Sequence, residues 1–167
     1  MRSFALAALL FVSACSHAPP QASEAAANEW HTFSGNWIAT GTRNSIPLGA
    51  ERRASVADLE GTMLLSGDNR PARGFRGEAV VFNDTQTGAT GRAVWTDSNG
   101  DKVFSELHGS ESAGGKIQGT FIGGTGRFAG ANGSYEFTWQ FVIDSDDGRI
   151  QGQTNDLSGR IRVSKQP

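Results

Sequence analysis

The chain has 167 residues, a formal net charge of −2 and a single cysteine. So slight an acidic balance excludes binding driven by nucleic-acid phosphates, which needs a basic stripe or patch. Twenty-two glycines beside ten Phe and four Trp, against five Pro, point to a small β-barrel or sandwich rather than a disordered chain.

The first element is a leader. Arg2 precedes an apolar run from Phe4 to Val12, which ends in the small residues of Val12-Ser13-Ala14-Cys15. A charged start, a short apolar middle and a small-residue exit make a secretory signal. The run falls short of the ~20 apolar residues that a membrane span needs. The Val-Ser-Ala-Cys ending resembles the lipobox of bacterial lipoproteins. That resemblance implies a signal peptide over residues 1–14, cleavage before Cys15, and lipidation of the Cys15 sulfur and the new amino terminus. It also implies a place in the bacterial cell envelope. Ser16 rather than Asp after the lipidated residue suits an outer-membrane anchor facing the periplasm. With lipid on the one cysteine, no disulfide is available. Residues 15–28 are small, polar and proline-bearing, and read as a tether. As a flexible coil, the segment after Cys15 reaches roughly 20 Å.

From residue 29 to 167 the chain reads as one all-β domain. Alternation predicts strands over Asn36–Thr42, Ser55–Ser66, Phe75–Asn83, Gly91–Asp97, Lys102–Gly109, Lys116–Ile122, Tyr135–Ile143 and Gln151–Val163. The strongest signal is Tyr135, Phe137, Trp139, Phe141 and Ile143 at odd positions, with mostly polar residues between them, the period of a strand with one buried face. Elsewhere the inward face is expected to carry Trp37, Leu59, Met63, Leu65, Phe75, Val81, Trp95, Val103, Leu107, Ile117, Phe121, Leu157, Ile161 and Val163. One-sided burial with short connections argues for antiparallel pairing. Asn99-Gly100 and Asp147-Gly148 are dipeptides that two-residue hairpin loops favour. A closed antiparallel barrel of about eight strands is the economical architecture, with a sandwich as the alternative.

Between two strands lies Gly123-Gly124-Thr125-Gly126-Arg127-Phe128-Ala129-Gly130-Ala131-Asn132-Gly133. A dinucleotide loop would open a helix, whereas a strand follows here, and no Lys-Ser/Thr pair makes a P-loop. The pattern Gly123, Gly124, Thr125, Gly126, Phe128, Gly133 resembles the signature loop of the allene oxide cyclase and dirigent barrels. The resemblance implies an eight-stranded, calycin-like barrel, assembly as a trimer in many members, and apolar substrates bound inside the barrel. No catalytic residue of those families aligns to a position here. In this chain the glycines would let the backbone turn sharply and Phe128 would plug one barrel end.

Chemistry-bearing clusters are few. Beyond the tether the histidines are His31 and His108, far apart and outside any ligand-spaced group, so no metal site is expected. Asp97-x-Asn99-x-Asp101 and Asp144-x-Asp146 lack the Gly and Glu of a calcium loop. There is no Gly-x-Ser-x-Gly elbow, and no cofactor is implied. The basic spots Arg52-Arg53 and Arg70, Arg73, Arg76 read as solvated loop charge, or as contacts to anionic headgroups or glycans. The aromatics Trp37, Trp95, Phe121, Tyr135, Trp139 and Phe141 read as core or, more sharply, as the lining of a pocket at one barrel mouth. The expected role is therefore binding or envelope structure, with an isomerase or cyclase acting on a small apolar molecule as the alternative. Exposed apolar residues such as Ile38, Val80, Phe82 and Phe104 leave room for contacts between copies.

Overall fold

The structure is a computed structural model that describes residues 29–110 and 115–163. The expected signal peptide, the lipidation site Cys15 and the tether lie outside the described residues. Among those described, eight antiparallel strands form a closed barrel in which every strand pairs with its sequence neighbours and β8 returns to β1. They are β1 His31–Pro47, β2 Arg53–Ser66, β3 Gly74–Asp84, β4 Gly88–Thr96, β5 Lys102–Gly109, β6 Lys116–Gly124, β7 Ala131–Asp144 and β8 Arg149–Val163. The sandwich alternative is thereby excluded. Closure removes the edge strands that a sandwich would leave open.

Several strands run beyond their expected ends. β1 starts five residues before Asn36 and continues to Pro47, because its polar second half Arg43–Pro47 pairs with Arg53–Ala57 of β2. Alternation of buried and exposed residues fades there, and with it the sequence signal. β7 likewise begins at Ala131, inside the glycine loop. A short 3-10 turn, Gly126–Phe128, occupies that loop.

Three extra residues set the local register. Pairing shifts by one between β5 and β6 at Ile122, and between β7 and β8 at Val142. Both β1 and β7 shift against the same stretch of β8, around Asp156, whose φ of +55° makes it the one described non-glycine residue in the left-handed region. These are β-bulges, and each reverses which face later residues present. On β8 the bulge turns Ile150, Gly152 and Thr154 inward before it and Leu157 and Ile161 inward after it. On β7 it corrects one expectation: Ile143 follows Val142 and is exposed rather than inward.

The hairpins at Asn99-Gly100 and Asp147-Gly148 are three-residue loops rather than two-residue ones. The Asp97 amide donates to Asp101 O, and the Ser145 amide to Arg149 O, around a turn that ends in a left-handed glycine. Asp97 favours the longer loop because its carboxylate accepts from the amides of both Asn99 and Asp101.

The barrel has two unlike ends. The loops β2–β3, β4–β5 and β6–β7 gather at one, and both β1 and β8 have their outer termini there. The loops β1–β2, β3–β4, β5–β6 and β7–β8 gather at the other. Phe33, Phe75, Trp95, Phe121, Phe128 and Tyr135 fill the first end. Trp95 lies 4.7 Å from Tyr135, 5.1 Å from Phe121, 5.7 Å from Phe75 and 5.9 Å from Phe33, centroid to centroid.

Candidate functional site: an apolar cavity in the open half of the barrel

The second end is hollow. A cavity of about 480 Å³ opens there, a size within the usual range for small-molecule pockets. Aromatic and aliphatic side chains make one part of its wall: Trp37, Phe137, Trp139, Leu107 and Ile150. Small residues of three adjacent strands make the opposite part, Ser55 and Ala57 on β2, Ala79 on β3 and Ala89 on β4. The hollow follows from this volume difference, because inward side chains ordinarily fill an eight-stranded barrel. Leu59, Val81 and Asn83 on the same strands also line the cavity, but Ser55, Ala57, Ala79 and Ala89 between them are too short to reach across.

The two tryptophans are set by their surroundings. Next to the β8 bulge, the Trp37 amide donates to the Thr154 hydroxyl at 2.9 Å. Its ring lies over Gly77, where a Cβ would stand 2.8 Å from the indole nitrogen. Trp139 covers Gly152 in the same way, and the two indoles meet at 5.5 Å and 53°. Phe141 faces inward at the lip, edge-on to Trp139 at 6.0 Å, and is half-exposed because the mouth is open. Neither indole N–H finds an acceptor.

Polar groups are confined to the rim. Arg43 pairs with Asp144 and stands over Phe141; Lys116 pairs with Glu136 at 3.0 Å. Arg52 clamps the buried Asp84 through three hydrogen bonds between 2.7 and 3.2 Å, tying the β1–β2 loop to the end of β3. The Arg52 bonds and the Gln86 amide hold the Asp84 carboxyl below the ordinary aspartate range. Among the described residues that line the cavity, Arg43 and Lys116 are the titratable ones, and neither a carboxylate nor a histidine is present.

The pocket expectation therefore divides. Trp37, Trp139 and Phe141 line the cavity, whereas Trp95, Phe121 and Tyr135 belong to the filled half beyond its floor. Tyr135 is buried there with its hydroxyl 2.7 Å from that of Ser105. Burial raises its pKa above the ordinary value, and hydrogen bonds with Ser105 and Trp95 offset only part of that rise. Its ring lies across Gly119, where a Cβ would overlap it. Phe137 and the small residues of β2 to β4 were absent from the expected lining. Their signal was a run of small residues at inward positions of neighbouring strands.

The glycine loop lies at the far end from the cavity. Gly123, Gly126 and Gly133 take positive φ, Gly124 packs closely on Phe128, and the Thr125 hydroxyl accepts from the Lys102 amide at 3.0 Å. Phe128 is 2% exposed and packs 5.8 Å from Phe75. Arg127 covers its ring and binds the buried Asp97. Burial opposes ionisation of Asp97, but Arg127 and the Asn99 and Asp101 amides outweigh it and hold its pKa below the ordinary value. This carboxylate belongs to an ion-paired turn. No group of His, Cys, Asp and Glu among the described residues could hold a metal ion.

No protein-family model matches the chain, and no curated protein matches it. Among solved structures it is similar to the pterocarpan synthase dirigent protein GePTS1, with a TM-score of 0.51 and 9% identity over 89% of this chain and 97% of that one. It is also similar to the pterocarpan synthase dirigent protein PsPTS1, with a TM-score of 0.49 and 12% identity over 80% and 97%. A pyocyanin demethylase gives a TM-score of 0.40 and 11% identity over 77% and 99%. The likeness to GePTS1 is one of fold alone: the chain forms a dirigent-like closed barrel of eight antiparallel strands.

Proposed function

We infer that the protein is a lipid-anchored binding barrel of a bacterial cell envelope, which takes a small apolar molecule into the open half of the barrel. The observation that carries the binding role is the apolar cavity itself, walled by Trp37, Trp139 and Phe137 against Ala57, Ala79 and Ala89. The anchor rests on the sequence around Cys15. Binding is favoured over isomerisation or cyclisation because the lining residues described supply no carboxylate or imidazole to move a proton. The outer wall exposes Ile38, Val80 and Phe82, a surface on which copies could associate as the dirigent resemblance implies.

Two measurements test this reading. Native mass spectrometry of the protein from its own host is expected to show a reproducible adduct of small mass that Trp139→Ala abolishes. A bare polypeptide, or an adduct indifferent to Trp139, counts against a ligand barrel. For the anchor, Cys15→Ser is expected to move the protein out of the membrane fraction; a variant that stays there rejects it.

A further inference from the structure

We propose that the plugged end of the barrel is a base that rests on anionic lipid headgroups, so that the cavity mouth opens away from the anchoring membrane. This rests on the lipid-anchored reading above. The chain enters the barrel at the plugged end and is fastened there. The Asn69 side-chain amide donates to Trp30 O at 2.9 Å and to Glu29 Oε1 at 3.3 Å, and His31 Nδ1 lies 2.9 Å from Asn69 Oδ1. Any tether running back to Cys15 therefore leaves from this end. β1 has 17 residues, roughly 55 Å of strand, which at the tilt of a closed barrel carries the mouth about 40 Å away. An anchor that joins the barrel at this end puts the plugged end toward the membrane and the mouth on the far side.

Charge is distributed the same way. At the mouth, Arg43, Arg52, Lys116 and Arg149 are each ion-paired, with Asp144, Asp84, Glu136 and Asp147. Arg53 there has no salt bridge to a described carboxylate, but it is outnumbered by Glu51 and Asp146. At the plugged end Arg127 is held by Asp97, but Arg70, Arg73, Arg160 and Arg162 have no salt bridge to a described carboxylate. Together with Lys102 they outnumber Glu29, Asp68 and Asp101, the remaining acids of that end. Arg160 and Arg162 stand over the Trp30 ring at 4.6 and 4.8 Å. Arg162 is half-buried and donates to Asn132 Oδ1. That leaves exposed Arg70, Arg73 and Arg160 without a carboxylate, beside an amphipathic indole and the point where the chain enters the barrel. Such a set suits a bilayer interface with negative headgroups.

The test uses the full-length lipidated protein, with Cys15 blocked by its lipid. A fluorophore is placed on Ser98→Cys at the plugged end or on Gln86→Cys at the mouth. Vesicles contain phosphatidylcholine alone or with phosphatidylglycerol, and carry a headgroup nitroxide quencher. On the anionic vesicles the Ser98 label is expected to be quenched at least twofold more than the Gln86 label. Arg70→Gln, Arg73→Gln and Arg160→Gln combined should erase that contrast, since each arginine contributes about fivefold to the contact equilibrium. Equal quenching of the two labels, or stronger quenching at Gln86, overturns the orientation. A contrast that persists on neutral vesicles or in the triple variant overturns the headgroup contact. Failure of the protein to float with any vesicle is a separate result: it rejects the anchor, and the proposal with it.

Discussion

The two halves of this barrel are built by the same eight strands, yet one is solid and the other hollow. In the plugged half Phe33, Phe75, Trp95, Phe121, Phe128 and Tyr135 meet from six directions. In the open half aromatics stand on one wall only and face Ala57, Ala79 and Ala89. Strand pattern is indifferent to this choice, because alternation asks only that inward residues be apolar. The lesson is that side-chain volume at inward positions, rather than hydrophobicity, decides whether such a barrel is core or container.

The sharpest way to test that division is to remove one ring from each half. Trp95→Ala takes out the residue that touches four other rings and should destabilise the protein by about 3–5 kcal/mol in urea unfolding. If the loss is no greater than that of Phe141→Ala at the lip, the plugged half is not the stabilising half. A second contrast uses acid. Asp84 at the mouth and Asp97 at the plugged end both have pKa values depressed below 3.8. Their ionised forms stabilise the fold at neutral pH, and that contribution is lost as pH falls from about 4 through the folded values. Arg127→Gln leaves Asp97 buried without its cation, so its acid-unfolding midpoint, followed by circular dichroism, should rise further than that of Arg52→Gln. The smallest change in stability is expected from Ala79→Leu, which grows into empty space and should alter unfolding by less than about 1 kcal/mol. The same substitution should cut uptake of an apolar fluorescent probe tenfold or more. A variant that binds the probe normally would place the ligand elsewhere.

Much of the fold was legible because period-two alternation survives in part of every strand and glycine marks most turns. The bulges were not. An extra residue such as Ile122 or Val142 leaves no compositional mark, and its effect is felt only in the face presented afterwards, as Ile143 shows. Asp156 in a left-handed conformation was the one local hint, and an aspartate in a polar strand does not announce it. For the cavity, Trp37 and Trp139 were identifiable as large inward residues. Trp95, Phe121 and Tyr135 looked equivalent to them, because depth along the barrel axis depends on register between strands, which a single chain's alternation does not encode.

Closure of β8 on β1 has a kinetic consequence. The seam joins His31 to Ile161 and Gly41 to Ile150, so the first strand must wait for nearly the whole domain before half of its backbone groups are paired. Non-local pairing of this kind slows folding, and until it is complete the free flanks of β1 and β7 are templates for other chains. The bulge at Asp156 sits in the strand that mends both flanks at once. The last strand of the sequence is thus the one whose pairing turns an open sheet into a barrel with no exposed edge.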